Sequence, residues 1–127
     1  MRALARSSLM VASALALGSC QPPKIKLVLS TVDGRQVVSL SQDWGLILSR
    51  KKAPCVDRID LNASSGNRPL VWRVEAKGAQ CVHLDHFVIG EVPAGFIEHV
   101  PLATTPRGWF DFLVLGTGTG QAQFELG

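Results

Sequence analysis

The stretch of sequence that decides the fold is Ile25 to Leu40, which reads IKLVLSTVDGRQVVSL. In its first half Ile25, Leu27 and Leu29 occupy every second position and share one face, the period of a strand with one buried face. Asp33 and Gly34 then interrupt the pattern. This pair favours a type I′ turn because both residues tolerate positive φ. A second apolar group follows at residues 37–40, so the stretch predicts an antiparallel β-hairpin.

The same period of two continues through the rest of the chain. Further strands are predicted at residues 46–48, 55–61, 70–76, 82–89, 110–114 and 122–126, with turns at 93–95 and 116–120. After residue 24, no ten-residue stretch carries apolar residues at helical spacing, so no substantial helix is expected there. About seven short strands separated by turns predict an all-β domain, a small antiparallel β-sandwich over residues 25–127.

The first twenty residues, MRALARSSLMVASALALGSC, have a different character. Arg2 and Arg6 give a positive start, and residues 9–17 form an apolar run broken only by Ser13. A bilayer span needs roughly 20 apolar residues, so this run is too short to cross. The pattern predicts a secretory signal peptide, a helix within residues 1–19.

Residues 17–20 read Leu-Gly-Ser-Cys, an aliphatic residue and two small residues before a cysteine. The stretch resembles the lipobox of bacterial lipoproteins, a resemblance that covers the signal peptide and Cys20 only. It implies diacylation of the Cys20 thiol, cleavage between Ser19 and Cys20, and acylation of the new amino group, for example with palmitate. The residue after the lipidated cysteine is Gln21 and not Asp. By the usual sorting rule of these lipoproteins, this implies the outer membrane and a domain that faces the periplasm. An ordinary secretory signal with an incidental Cys20 is the alternative.

A short tether, residues 20–24, would join the lipid to the domain. At roughly 3.1–3.6 Å per residue it reaches about 15 Å, which keeps the domain close to the headgroups. Two or three acyl chains make a stable membrane anchor. The densest positive run after the signal peptide is Arg50-Lys51-Lys52. It has two interpretations, contact with anionic headgroups or a solvated loop that protects a sheet edge.

The overall charge excludes one class of partner. The chain has 127 residues and a formal charge of +3, and two of its basic residues, Arg2 and Arg6, belong to the signal peptide. A nucleic-acid-binding domain would need a dense basic face, so no nucleic acid is expected as a partner. An apolar share of 46% excludes general disorder.

Cys55 and Cys81 are the two cysteines left to pair in an oxidising compartment. They lie 26 positions apart, and a disulfide between them would contribute about 3 kcal/mol. Free thiols and a two-cysteine metal site are the alternatives. The order Cys55, Trp72, Cys81 resembles the immunoglobulin fold, in which a tryptophan packs on an inter-sheet disulfide. The spacing is shorter and the chain has no Tyr, so the resemblance is one of general architecture.

Catalytic and metal-binding sets are sparse. His83 and Asp85 share one face of a predicted strand, but two ligands are too few for a zinc site, and His99 would have to complete it. We therefore predict no metal, no cofactor and no catalytic residues. A metal-dependent enzyme at these three residues is the least supported interpretation.

Two functions remain. The first is a non-enzymatic domain that binds an envelope protein or supports an envelope assembly. The alternative is a small ligand-binding or enzyme-inhibitor lipoprotein. The loop from Val92 to Pro101 would protrude and insert into the bound molecule, with Phe96 and Ile97 as partner-binding residues. The competing interpretation of this pair is that both side chains fold back into the core.

Overall fold

The computed structural model describes residues 21–45 and 50–127. The strands in these residues are β1 (Lys26–Val32), β2 (Arg35–Asp43), β3 (Lys51–Lys52), β4 (Cys55–Ala63), β5 (Leu70–Ala76), β6 (Val82–His83), β7 (His86–Val88), β8 (Phe96–Val100), β9 (Gly108–Gly116) and β10 (Gly118–Leu126). The all-β prediction is confirmed. The predicted signal-peptide helix and the predicted strand at 46–48 lie outside the described residues.

The opening hairpin forms as predicted. β1 and β2 pair antiparallel from Lys26 opposite Ser41 to Val32 opposite Arg35. The two residues between the strands both have positive φ, 51° at Asp33 and 77° at Gly34. A type I′ turn requires this combination, which matches the right-handed twist of the flanking strands.

The strands form two antiparallel sheets. The four-stranded sheet has the order β1-β2-β3, with β7 also paired to β2, and the six-stranded sheet has the order β10-β9-β4-β5-β8, with β6 also paired to β4. The core lies between them. Its buried apolar side chains are Ile25, Leu27, Val38, Leu40, Val56, Ile59, Leu61, Trp72, Val74, Phe87, Phe96, Phe110, Phe112, Val114 and Leu126. The predicted sandwich architecture is therefore observed.

Trp72 is the largest fully buried side chain of the described residues and joins the two sheets. Its ring lies 6.0 Å, between centroids, from that of Phe87 in the opposite sheet. Its indole Nε1 donates a hydrogen bond of 2.9 Å to Oε2 of Glu98 on β8. The buried indole is thus satisfied by a protein partner, as a tryptophan in a core requires.

One predicted strand, residues 82–89, is wrong as a single element. β6 pairs with β4 in one sheet, whereas β7 pairs with β2 in the other. Between them the chain crosses from sheet to sheet. The amide of Leu84 donates to the carbonyl of Pro54 at 3.0 Å, and the carbonyl of Asp85 accepts from the amide of Leu40 at 2.8 Å. These two bonds satisfy backbone groups at the crossing.

The predicted disulfide is confirmed, with 5.2 Å between the Cα atoms of Cys55 and Cys81. Cys55 begins β4 and Cys81 directly precedes β6, the strand paired with β4. The bridge therefore lies within one sheet, unlike the inter-sheet bridge of immunoglobulin domains. Trp72 pairs with Leu61, which is about 20 Å along β4 from Cys55. The tryptophan therefore lies far from the bridge.

The buried apolar side chains of the described residues extend over the whole strand series. Every buried apolar side chain among them lies between Ile25 and Leu126, at the two ends of the strand series. Residues 21–127 contain both sheets and the disulfide, so we expect them to fold as a unit.

Candidate functional site

The residues that follow Cys20 are held at one end of the sandwich. We name this the tether end and define it as residues 21–25, 42–45, 50–55 and 116–119. The carbonyl of Pro23 accepts a hydrogen bond of 2.8 Å from Nε2 of Gln42, which also donates to the carbonyl of Thr117. The amide of Ile25 donates to the carbonyl of Thr119 at 3.1 Å. Gln42 is only 2% exposed, so it is a buried clamp between β2, the tether and the β9–β10 turn.

Two glycines make room for the tether. A Cβ atom at Gly118 would lie 2.7 Å from Nε2 of Gln42 and 2.7 Å from the carbonyl oxygen of Pro23. One at Gly120 would lie 2.7 Å from the carbonyl oxygen of Ile25. Side chains at these positions would displace residues 23–25, so the Gly-rich segment serves close backbone packing.

Sequence reasoning missed Gln42, although a signal was present. Val38 and Leu40 are buried on the inner face of β2, and Gln42 continues their period of two. A glutamine at an inward position must find hydrogen-bond partners there. The period therefore pointed to a buried polar contact, but the partners are 19 and 75 residues away in sequence.

Positive charge and an exposed aromatic ring occupy the tether end. Lys51 and Lys52 are both exposed and pair with Asp43 and Gln42, respectively, on β2. The amide of Trp44 donates to the carbonyl of Arg50 at 3.0 Å, and the Trp44 side chain is 46% exposed. The basic run is thus paired directly with the strand that holds Pro23.

The side of the six-stranded sheet that faces away from the core carries a charged cluster. Nε and Nη2 of Arg73 donate to the two carboxylate oxygens of Asp60 at 2.7 and 2.9 Å, and Nε of Arg58 lies 3.3 Å from the same carboxylate. Asp60 is almost fully buried under the two guanidinium groups. The side-chain hydrogen bonds to Asp60 raise the pKa of Arg73 above its ordinary value, so the guanidinium group stays protonated.

We call this side the outer face; Arg58, Asp60, Asn62, Arg73, Glu75, Ile97, Trp109, Asp111, Leu113 and Leu115 lie on it. Trp109 is its most exposed large apolar residue, at 54%, and Ile97 is 45% exposed. Trp109 lies near the opposite end of β9 from Gly116, which places it about 23 Å from the tether end. It neighbours the loops at 64–69 and 101–107, which we name the far end.

The predicted partner-binding loop is only partly a loop. Residues Phe96–Val100 form β8, which pairs with β5 at the edge of the sheet. Phe96 is 2% exposed and belongs to the core, so its prediction as an exposed partner-binding residue is wrong. Its apolar neighbour Ile97 points the other way, because successive strand residues alternate between faces. Ile97 remains available on the outer face.

The histidines do not converge. Nδ1 of His83 lies 3.3 Å from the carbonyl oxygen of Ala53, and Nδ1 of His86 lies 2.7 Å from Oδ1 of Asp85. Nε2 of His99 lies 3.8 Å from Oε2 of Glu75. In the part of the chain that the structure describes, no group of three or more His, Cys, Asp or Glu residues could hold a metal ion. His83, Asp85 and His99 are therefore not brought together as a metal site.

Comparisons with known proteins add no relative. No family model, no curated protein and no solved structure matches the chain. Among residues 21–45 and 50–127, no helix is long and apolar enough to cross a bilayer.

Proposed function

We propose that the chain is a bacterial envelope lipoprotein whose β-sandwich is a non-enzymatic, protein-binding domain. Acyl chains on Cys20 would hold it to the outer membrane, facing the periplasm. The proposed lipid attachment rests on residues 17–20, Leu-Gly-Ser-Cys. The proposed orientation of the domain rests on the fixed position of Pro23. This residue comes shortly after Cys20 and is clamped to one end of the sandwich by Gln42. A lipid on Cys20 would therefore emerge from that end and leave the far end directed away from the membrane.

The outer face supports a protein partner. Interfaces between proteins are enriched in tryptophan and arginine, and their strongest contacts cluster around such residues. Trp109 is exposed, and two arginines lie on the same face, Arg73 hydrogen-bonded to Asp60 and Arg58 ion-paired with it. Side chains that are already ordered lose less conformational entropy on binding. This face is the surface we assign to the partner.

A ligand-binding or inhibitory role has less support. The loop it would use contains Phe96, which is buried in the core. Ile97 is the only member of the predicted pair that is exposed, and it contributes equally well to the outer face of the first proposal. We therefore keep protein binding as the proposed function.

Palmitate labelling in a Gram-negative host tests the lipid attachment. The full-length chain should incorporate labelled palmitate and fractionate with membranes, whereas Cys20→Ala should carry no label. It should also accumulate as an unprocessed or soluble species, because the thioether cannot form. Label on Cys20→Ala equal to that on the wild type, or no label on the wild type, would contradict lipidation of Cys20, and Cys55→Ala serves as the control for losing a different cysteine.

Crosslinking in intact membranes tests the partner. A protein adduct should form with the wild type and be lost in Trp109→Ala, since truncation of a central aromatic contact commonly costs about 2 kcal/mol or more, roughly 30-fold in affinity. Trp44→Ala is the matched control, because it removes a similarly exposed tryptophan from the other end. Loss of the adduct in both variants, or in neither, would argue against the outer face as the binding surface.

A further inference from the structure

We infer that the tether end is a second interaction surface, one that contacts the anionic headgroups of the membrane. The surface consists of Lys24, Trp44, Arg50, Lys51 and Lys52. It gives the domain a defined orientation on the bilayer instead of free rotation about a flexible linker. The inference deepens the proposed lipid attachment and rests on it, although the test below uses protein without the lipid.

The length of the tether brings this surface to the bilayer. Pro23 is held by Gln42, so only residues 20–22 remain to span the gap between the lipid and the domain. At roughly 3.3–3.6 Å per residue they reach about 10 Å. The Debye length at physiological ionic strength is about 8 Å, close to this maximum reach, so charges at the tether end experience the headgroup potential whenever residues 20–22 are less than fully extended.

The charge distribution matches an anionic surface. The lysines of the chain are Lys24, Lys26, Lys51, Lys52 and Lys77. All but Lys77 lie in the tether end or one residue beyond it, and Lys77 begins the loop that leads to Cys81, the partner of Cys55. The acidic residues near this end are Asp43, Asp57 and Asp85. Positive charge therefore exceeds negative charge on the surface that the tether brings to the lipid.

Trp44 provides an aromatic side chain suited to the membrane–water boundary. Tryptophan is favoured at the membrane–water boundary because its ring is apolar and its N–H is polar. Trp44 is 46% exposed, and its amide is bonded to the carbonyl of Arg50, which keeps the residue next to the basic run. A basic run beside an exposed tryptophan is the combination that binds anionic bilayers peripherally.

Vesicle sedimentation of residues 21–127 tests the surface without the acyl chains. The probes are vesicles of phosphatidylglycerol and phosphatidylcholine in equal parts, and vesicles of phosphatidylcholine alone, at low ionic strength. Wild type should bind the anionic vesicles and not the neutral ones. Lys51→Glu with Lys52→Glu should weaken binding about tenfold or more, since each basic residue contributes separately near a charged surface. Circular dichroism first verifies that each variant is folded.

The matched control is Arg68→Glu with Arg107→Glu. Both residues are exposed at the far end, and the change in net charge is identical. The affinity of this control for the anionic vesicles should lie within about twofold of the wild-type affinity. Equal weakening by the two double variants would show that net charge alone governs binding and would overturn the inference. Absence of any preference for phosphatidylglycerol would overturn it as well.

Tryptophan fluorescence gives a second, independent readout. Brominated lipid in the anionic vesicles should quench wild type and Trp109→Phe, but leave Trp44→Phe largely unquenched, because Trp72 is buried in the core. Quenching that disappears in Trp109→Phe instead would place the far end against lipid and contradict the inference. Because Cys20 is absent from this protein, failure here leaves the palmitate result unaffected, and failure of palmitate labelling leaves this result unaffected.

Discussion

Trp44 and Trp109 are exposed to nearly the same degree, 46% and 54%, yet their surroundings differ. Trp44 lies beside the basic run of residues 50–52, whereas Trp109 pairs across the sheet with Glu125 on β10. We therefore propose that the same type of ring serves two kinds of surface. A tryptophan among cations suits anionic lipid, and one on a mixed-charge sheet face suits a protein. Local charge, more than exposure, separates the two roles.

The two ends also differ in how they are held. The tether end contains one partner of the disulfide and the buried Gln42 clamp. The far end consists of the loops at 64–69 and 101–107, where Nδ2 of Asn62 donates to the carbonyl of Arg68 at 3.0 Å in an exposed position. We therefore expect substitutions at the tether end to cost more stability than substitutions at the far end.

The largest effect should come from the disulfide. Replacing both Cys55 and Cys81 by Ser should lower the free energy of unfolding by about 3 kcal/mol, because the unfolded chain regains the freedom of a closed loop. Urea denaturation measures this. Reducing agent should destabilise the wild type by a similar amount and leave the double variant unchanged. A loss below about 1 kcal/mol would contradict the account of a tightly held tether end.

A smaller effect is expected from the clamp. Gln42→Leu keeps the approximate size of the side chain but removes the donor to Pro23 and Thr117, so the free energy of unfolding should fall by about 2 kcal/mol. Gln123→Leu, at an exposed position on β10, is the matched control and should change the free energy of unfolding by less than about 0.5 kcal/mol. Equal effects in urea denaturation would mean that the buried hydrogen bonds contribute nothing specific.

The smallest effect should appear at the far end. Asn62→Ala removes one exposed hydrogen bond to the loop at 64–69, and the free energy of unfolding should fall by no more than about 1 kcal/mol. Asn67→Ala, within that loop, is the control for losing an exposed asparagine. Hydrogen exchange should report faster opening of the loop in Asn62→Ala only. A loss as large as that of Gln42→Leu would remove the difference between the two ends.

Local patterns were enough to predict most of the described strands and the bridge. The hairpin at 25–40 follows from alternation and the Asp33-Gly34 turn, and both depend on neighbours in sequence. The bridge follows from a count of cysteines. The break at 84–85 could not be predicted, because an alternating segment reads the same whether it stays in one sheet or crosses to another.

The candidate site was harder to predict than the fold, because its contacts join distant segments. Phe96 and Ile97 are adjacent apolar residues, and sequence alone does not say which of them faces the core. Pairing of β8 with β5 decides it, placing Phe96 opposite Ala76. Trp44 and Trp109 carried no periodic signal of their own. Their proposed roles depend on their positions at opposite ends of the domain, Trp44 directly after β2 and Trp109 near the start of β9.

Photo-crosslinking from these two positions tests the central claim, that one end meets lipid and the other meets a protein. Trp44 and Trp109 would each be replaced by p-benzoylphenylalanine in the full-length chain and irradiated in intact cells. The account predicts phospholipid adducts from position 44 and a discrete protein adduct from position 109. Protein adducts from position 44 together with lipid adducts from position 109 would contradict it.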